Sequence, residues 1–278
     1  MYPSFYIFGH EITTYSICAG VGMIAVAIYM WIKVRKTDRY DVTQLINIAV
    51  VSGIGTFLGA HLLFAFTQWE LLIEGFQHPD IIFKSPEVFL HFLVLVFGGM
   101  VFYGGLIGGL LTGVVYVKTL KHIKLDPYLY ADLFAPAIAL FHAFGRVGCF
   151  LGGCCYGIEC KVGFVYHYAP VPEANGVTRL PIQLIESAGD IVIFIILLIL
   201  GKKKNLPKGT LIITYLILYP IMRFVNEFFR GDVIRGFALG LSTSQWFSIG
   251  MILFSIGFII YRKLKSPKEE EKAEEKAE

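Results

Sequence analysis

The segment Gly145-Arg146-Val147-Gly148-Cys149-Phe150-Leu151-Gly152-Gly153-Cys154-Cys155-Tyr156-Gly157 follows an apolar run and sets an arginine where hydrocarbon is expected. A charge at membrane depth costs about 2.5–3.5 kcal/mol or more, so it persists where it faces a protein interior or wet cavity and meets an anion. In a membrane the plentiful anion is a phospholipid phosphate, which the planar guanidinium fork matches. A second segment, Arg223-Phe224-Val225-Asn226-Glu227-Phe228-Phe229-Arg230, spaces Arg223, Glu227 and Arg230 at i, i+4 and i+7. A helix puts those three on one face. One acid between two bases leaves positive charge over, so Arg146 and Arg223 from different spans are expected to grip a phosphate while Glu227 holds one of them. The opposing reading is purely structural: the arginines pair with Glu186, Asp190 and Glu227, and Arg230 snorkels to the headgroups.

Other residues around this centre have two readings each. Cys149, Cys154, Cys155 and Cys160 follow C-x4-C-C-x4-C, with Cys18 apart in the first span. That is not the C-x2-C pairing of common zinc sites, and no metal is expected. A disulfide, inert apolar thiols, or one nucleophilic thiol activated by Arg146 all stay open. His142 precedes Arg146 by one turn and His61 lies in span two, each a proton acceptor or a hydrogen-bonded packing residue. Gln183 and Glu186 enter span five as cavity-lining or interfacial groups. The glycine pairs Gly98-Gly99, Gly104-Gly105 and Gly108-Gly109 read as close helix packing, or as a broken segment with Tyr103 at the break.

The elements that must position these groups are membrane helices. Hydrophobic residues make up 56% of the 278 and aromatic residues 15%, and mean hydropathy is +0.66. Seven apolar runs of spanning length fall at about 12–33, 44–67, 88–117, 129–150, 183–200, 209–229 and 245–262. The expected fold is an all-α polytopic membrane protein of about seven transmembrane helices. Basic residues alternate between connections: Lys33, Arg35, Lys36 and Arg39, then Lys118, Lys121 and Lys124, then Lys202, Lys203, Lys204 and Lys208, then Arg262, Lys263 and Lys265. The positive-inside tendency therefore expects the amino terminus outside and the carboxyl terminus cytoplasmic. On the outer side or inside spans arginine replaces lysine, at Arg146, Arg179, Arg223, Arg230 and Arg235 against Lys84 and Lys161. No secretory leader is read at the start, because the first apolar run is long enough to remain as a span. One membrane domain is expected over residues 1–265 and a charged cytoplasmic tail over 266–278. The net charge of +3 calls for no nucleic acid.

Taken in order, the landmarks resemble the bacterial prolipoprotein diacylglyceryl transferase family from about Ile7 to Arg262. They are Tyr15; Gly-Gly-Met-x-Phe-x-Gly-Gly-Leu-Ile-Gly at 98–108; Asp132-x-x-Ala-Pro; Gly-Arg-x-Gly-x-Phe at 145–150 with Tyr156-Gly157; Gln183-Leu-x-Glu186; Arg223-x-x-x-Glu227-Phe-Phe-Arg230; and Gln245. The resemblance implies an enzyme of the bacterial cytoplasmic membrane with its active site toward the outer leaflet. It implies transfer of diacylglyceryl from phosphatidylglycerol, or a related anionic phospholipid, to the lipobox cysteine thiol of a prolipoprotein signal peptide, with release of glycerol phosphate and no cofactor. Arg146, Arg223, Tyr103 and Glu227 then fall at catalytic positions. Tyr15, Arg230, Gly157, Gln183, Glu186, Cys149, Cys154 and His142 are expected to contact substrate. Three positions depart from the family pattern: Tyr103 stands where the family has His, Cys149 where it has Asn, and Cys154 where it has Glu. An unperturbed tyrosine near pKa 10 is a poor base at neutral pH. The competing functions are a divergent paralogue with another acceptor, a non-enzymatic lipid- or anion-binding or transport protein, and an enzyme using the outer cysteines.

Overall fold

The computed structural model describes residues 3–7, 10–37, 39–119, 126–232 and 237–274. Arg235, Lys121 and Lys124 lie outside them. Among the described residues ten α-helices follow one another: α1 (Thr14–Arg35), α2 (Val42–Thr67), α3 (Trp69–Gln77), α4 (Pro79–Ile82), α5 (Pro86–Phe97), α6 (Phe102–Thr119), α7 (Pro127–Gly152), α8 (Ile182–Leu200), α9 (Thr210–Asn226) and α10 (Thr243–Glu274). Among the described residues, six helices are long and apolar enough to cross a bilayer. The expected third span is instead a broken pair, α5 and α6, bent by 88°. The predominantly helical membrane fold is as expected. Three antiparallel two-stranded ribbons were not anticipated: β1 (Ser4–Ile7) with β2 (His10–Thr13), β3 (Glu159–Val165) with β4 (Thr178–Arg179), and β5 (Phe237–Ala238) with β6 (Leu241–Ser242). Their strands are too short for a period-two pattern to stand out beside the apolar spans.

The chain forms two compact units, residues 34–131 in one and residues 1–33 with 132–278 in the other. Within the 34–131 unit, glycines let α2 and α6 touch along their backbones. A Cβ on Gly59 meets the Gly104 carbonyl oxygen at 2.3 Å, and one on Gly108 meets the Gly55 oxygen at 2.2 Å. Close backbone approach of this kind is how helices associate where lipid offers no hydrophobic drive. The glycine run thus does both things the sequence allowed: Gly104 and Gly108 pack, while Gly98 to Val101 interrupt the helix. At the break the Val101 N–H donates to the Ala60 carbonyl at 3.1 Å, so the freed backbone stays satisfied. His61 is held by its Nδ1 at 2.5 Å from the Phe97 carbonyl oxygen. Tyr103 is buried in the first turn of α6.

In the other unit α1 packs on α7, where Tyr29 donates to the Leu133 carbonyl at 3.3 Å and Gly22 takes the Phe144 side chain against its backbone. The start of α9 is fixed from α7: the Asp132 carboxylate accepts the N–H groups of Gly209 at 2.6 Å and Ile212 at 3.0 Å, satisfying donors that a helix start leaves over. Ser242 and Gln245 form a reciprocal capping box at the start of α10, with Ser242 N–H to Gln245 Oε1 at 2.9 Å and Gln245 N–H to Ser242 Oγ at 3.3 Å. Pro220 inside α9 cannot donate to the Leu216 carbonyl; Ser255 of α10 does so at 3.4 Å. Large apolar side chains such as Met23, Ile24, Phe254 and Leu253 remain more than 60% exposed, as a hydrocarbon surrounding permits.

Candidate active site

Three helices of the 1–33 and 132–278 unit bring ionisable groups together in two layers one helical turn apart. In the first, Arg146 of α7 places Nε 2.9 Å from Oε2 of Glu186 on α8. Arg223 of α9 places Nη1 2.6 Å from Oε1 of the same carboxylate. Arg223 Nη2 then reaches Glu227 Oε2 at 2.7 Å and Ser244 Oγ at 3.2 Å. In the second layer His142 Nδ1 lies 3.3 Å from Asp190 Oδ2, and the His142 ring lies 4.9 Å from that of Tyr219. The layers arise because α7 and α8 run antiparallel, so steps of four residues on each helix stay in register, 142 with 190 and 146 with 186. Ser187 donating to the Ala143 carbonyl at 2.9 Å locks that register.

Arg146, Glu186, Arg223 and Glu227 are each at least 92% buried. Desolvation at that depth is offset by the Glu186 carboxylate shared between two guanidinium groups, while Arg146 Nε and Glu227 Oε2 meet their partners as ion pairs without an aligned hydrogen bond. The group corrects two sequence expectations. The positive excess expected of Arg223 and Arg230 around Glu227 is offset, since Glu186 also pairs with Arg223 and Asp232 pairs with Arg230. Arg230 also leaves the face of Arg223 and Glu227: α9 stops at Asn226, a 3-10 turn covers Glu227–Phe229, and Arg230 is extended. There it pairs with Asp232 through two bonds, Nε to Oδ1 at 2.9 Å and Nη2 to Oδ2.

The two buried arginines are not equivalent. Both Nη groups of Arg223 are committed to carboxylates, which makes it a holder of Glu186 and Glu227. Arg146 meets Glu186 as an ion pair at Nε, without an aligned hydrogen bond there, and among the described residues it pairs with no second carboxylate. Tyr15 of α1 lines the same stretch of α7: a Cβ on Gly148 meets its ring at 3.0 Å, and one on Gly145 meets its hydroxyl at 4.0 Å. The glycines flanking Arg146 therefore make room for an aromatic ring beside the guanidinium.

The segment after α7 closes one end of this group. Gln183 donates from Nε2 to the Cys154 carbonyl at 2.7 Å and to the Tyr166 hydroxyl at 2.9 Å. Burial pushes the Tyr166 phenol up to about 12, against the lowering effect of the Gln183 bond. Gly157 is crossed on two sides. It bridges Arg230, and a Cβ there meets the Leu180 carbonyl oxygen at 2.3 Å. Arg179 ties the loop down by donating to the Ala174, Gly157 and Glu173 carbonyls, with its guanidinium 4.5 Å over the Tyr156 ring.

The cysteines change standing in three dimensions. The α7 terminus is a Schellman motif, with Gly153 at φ +74°, Cys154 N–H to the Cys149 carbonyl at 3.1 Å and Gly153 N–H to the Phe150 carbonyl at 3.3 Å. That turn folds Cys154 and Cys155 back over Cys149, and the three Sγ atoms lie within 4.8 Å of one another. Hydrogen bonds from Cys149 and Cys154, then the charges of Arg230 and Arg146, hold the Cys155 thiol well below the ordinary thiol range. The bonds with Cys149 and Cys155 push Cys154 up. Cys160 is apart, its thiol donating to the Val162 carbonyl at 2.9 Å.

Sequence reading missed Asp232 and Ser244. Asp232 stands two residues beyond Arg230, and Ser244 falls in the first turn of α10 beside Gln245, so both signals were available only once the end of α9 and the start of α10 were fixed.

The profile of the prolipoprotein diacylglyceryl transferase family matches residues 3–261. A phosphatidylglycerol–prolipoprotein diacylglyceryl transferase 2 of Clostridium perfringens is 36% identical over 267 residues, covering 95% of this chain and 96% of that protein. Transferases of the same description from Clostridium tetani and Bacillus cytotoxicus are 32% and 31% identical, over 91% and 90% of this chain and 94% and 87% of theirs. With a match of this extent running through Arg146, Glu186 and Arg223, the chain belongs to the prolipoprotein diacylglyceryl transferase family.

Proposed function

We propose that this chain transfers the diacylglyceryl group of phosphatidylglycerol to the lipobox cysteine thiol of a prolipoprotein signal peptide. The observation that carries this reading is Arg146 in a member of that family: a buried guanidinium paired with Glu186 and, among the described residues, with no second carboxylate. In the reaction a thiolate attacks the glyceryl carbon, a sulfur–carbon bond forms, the carbon–oxygen bond breaks, and the electron pair stays on the departing glycerol phosphate. Negative charge grows on that phosphate oxygen, so a fixed fork at the leaving group stabilises the transition state more than the ground state. Arg223 keeps Glu186 and Glu227 in place, and Glu186 holds Arg146 by charge. Tyr15 and Gly157 border the space the headgroup enters, and Arg230 with Asp232 flanks it. His142, set one turn behind Arg146 and held by Asp190, supports the α7–α8 register.

The site belongs toward the outer leaflet of the bacterial cytoplasmic membrane, with the amino terminus outside and the carboxyl terminus inside. Supporting this, Lys33, Arg35 and Lys36 end α1, and Lys202, Lys203 and Lys204 follow α8, whereas Arg146 sits in the last two turns of α7, the helix that precedes the ribbon-bearing loop. The test is to incubate purified protein with labelled phosphatidylglycerol and a lipobox peptide. A labelled thioether adduct, absent with Arg146→Ala, is expected. An adduct no greater than in that variant contradicts the reaction.

A further inference from the structure

Three thiols converge beside the ion-pair group without any structural duty that needs all three. The Schellman turn is satisfied by backbone N–H groups, and Gln183 uses the Cys154 carbonyl rather than its sulfur. Cys149 is one turn from Arg146 on α7.

The geometry points to a metal. Thiolate ligands sit about 2.3 Å from zinc, which places the sulfurs of a tetrahedral site about 3.8 Å apart. Sulfurs within 4.8 Å of one another exceed that spacing by no more than about 1 Å. The donor set is soft throughout, with no carboxylate or imidazole in the group, so it selects zinc-class or cuprous ions over magnesium or calcium. The sequence spacing argued against a metal because it assumed a C-x2-C loop; the helix cap achieves convergence by a different turn.

We propose that Cys149, Cys154 and Cys155 form a three-thiolate site for a zinc-class ion, with a fourth position open to the acceptor's thiol. The open position rests on the transferase reading above; the metal site does not. On binding, the acceptor thiol gives its proton to water and becomes a metal-held thiolate. Its sulfur then forms the bond to the glyceryl carbon as the carbon–oxygen bond breaks, and the electron pair leaves with glycerol phosphate. The metal changes neither charge nor oxidation state, and no histidine base is required.

Cobalt(II) is the probe. Full-length protein, purified under reducing conditions and stripped with chelator, is expected to take up one equivalent with thiolate-to-cobalt charge-transfer bands and the intense visible bands of four-coordination, all displaced by zinc. Cys149→Ser and Cys154→Ser should each abolish those bands, while Cys18→Ser and Cys160→Ser keep them. Thermal unfolding of each variant verifies that it is folded, and the wild-type titration is decisive even where a variant is not. A lipobox peptide with cysteine should shift the bands and its serine counterpart should not. Failure to bind cobalt, a six-coordinate spectrum, or a disulfide within the trio under reducing conditions overturns the site. Equal transfer by stripped and zinc-loaded protein overturns the thiol-activating role while leaving the transferase standing. Metal binding without transfer in either form counts against the transferase and upholds the site.

Discussion

Arg146 and Arg223 hold opposite oxygens of one carboxylate, Glu186, at 2.9 and 2.6 Å. Two helices that are distant in sequence are thereby locked to α8 through a single side chain. The result is a neutral, buried cluster in which one guanidinium is spent on structure and the other keeps its outer edge.

Glu186→Gln keeps the shape and removes the charge that both arginines share. Breaking a buried pair by removing one partner costs about 3–5 kcal/mol, because the remaining charge is left without compensation. Thermal or denaturant unfolding in detergent should show a loss of that order, partly reversed when Arg223→Met is added. A Glu186→Gln protein as stable as wild type contradicts the shared clamp.

Gly157 and Gly152 make a matched pair. A Cβ at Gly157 meets the Leu180 carbonyl oxygen at 2.3 Å, whereas one at Gly152 meets nothing within 4 Å. Gly157→Ala must therefore push the Leu180 backbone away and should lose most activity together with several degrees of unfolding temperature. Gly152→Ala should stay within about 0.5 kcal/mol of wild type. Equal behaviour of the two variants argues against the crossing at Gly157.

Much of this site can be read in the sequence, and the part that cannot has a common cause. The local pair Arg223–Glu227 follows from i, i+4 spacing and is present at 2.7 Å. Glu186 was recognisable as a polar group entering a span, but its role as the bridge depends on the register of α7 against α8, which no local pattern encodes. Arg230 was misplaced because the helical period was extended past Asn226, where the chain turns to a 3-10 segment and then extends. The third span was read as one glycine-interrupted run that either packs or breaks, because its hydropathy is continuous; the break at Gly98 to Val101 lies beside α2, where the Val101 N–H meets the Ala60 carbonyl. The cysteine convergence follows from Gly153 in the left-handed region, a possibility that spacing rules for metal loops do not include.

Tyr166 supplies a pH-dependent check. Burial raises its phenol to about 12 in the folded protein, against about 10 unfolded. Stability from the neutral, buried hydroxyl is then fully present below pH 10 and is lost as pH rises toward 12. Tyr166→Phe should be less stable than wild type by about 1 kcal/mol near neutrality, for want of the Gln183 bond. The gap should close between pH 10 and 12, since the variant has no phenol to ionise there. A gap that stays constant over that interval contradicts the burial of an un-ionised Tyr166.

The most direct measurement is turnover of labelled phosphatidylglycerol and lipobox peptide by Arg146→Lys beside wild type, with unfolding temperature recorded for both. Lysine keeps the charge and loses the two-pronged donor edge. If the Nη groups of Arg146 meet the departing phosphate, turnover should fall by about 100-fold or more while the protein stays folded. Wild-type turnover in a folded Arg146→Lys protein contradicts phosphate binding by that guanidinium.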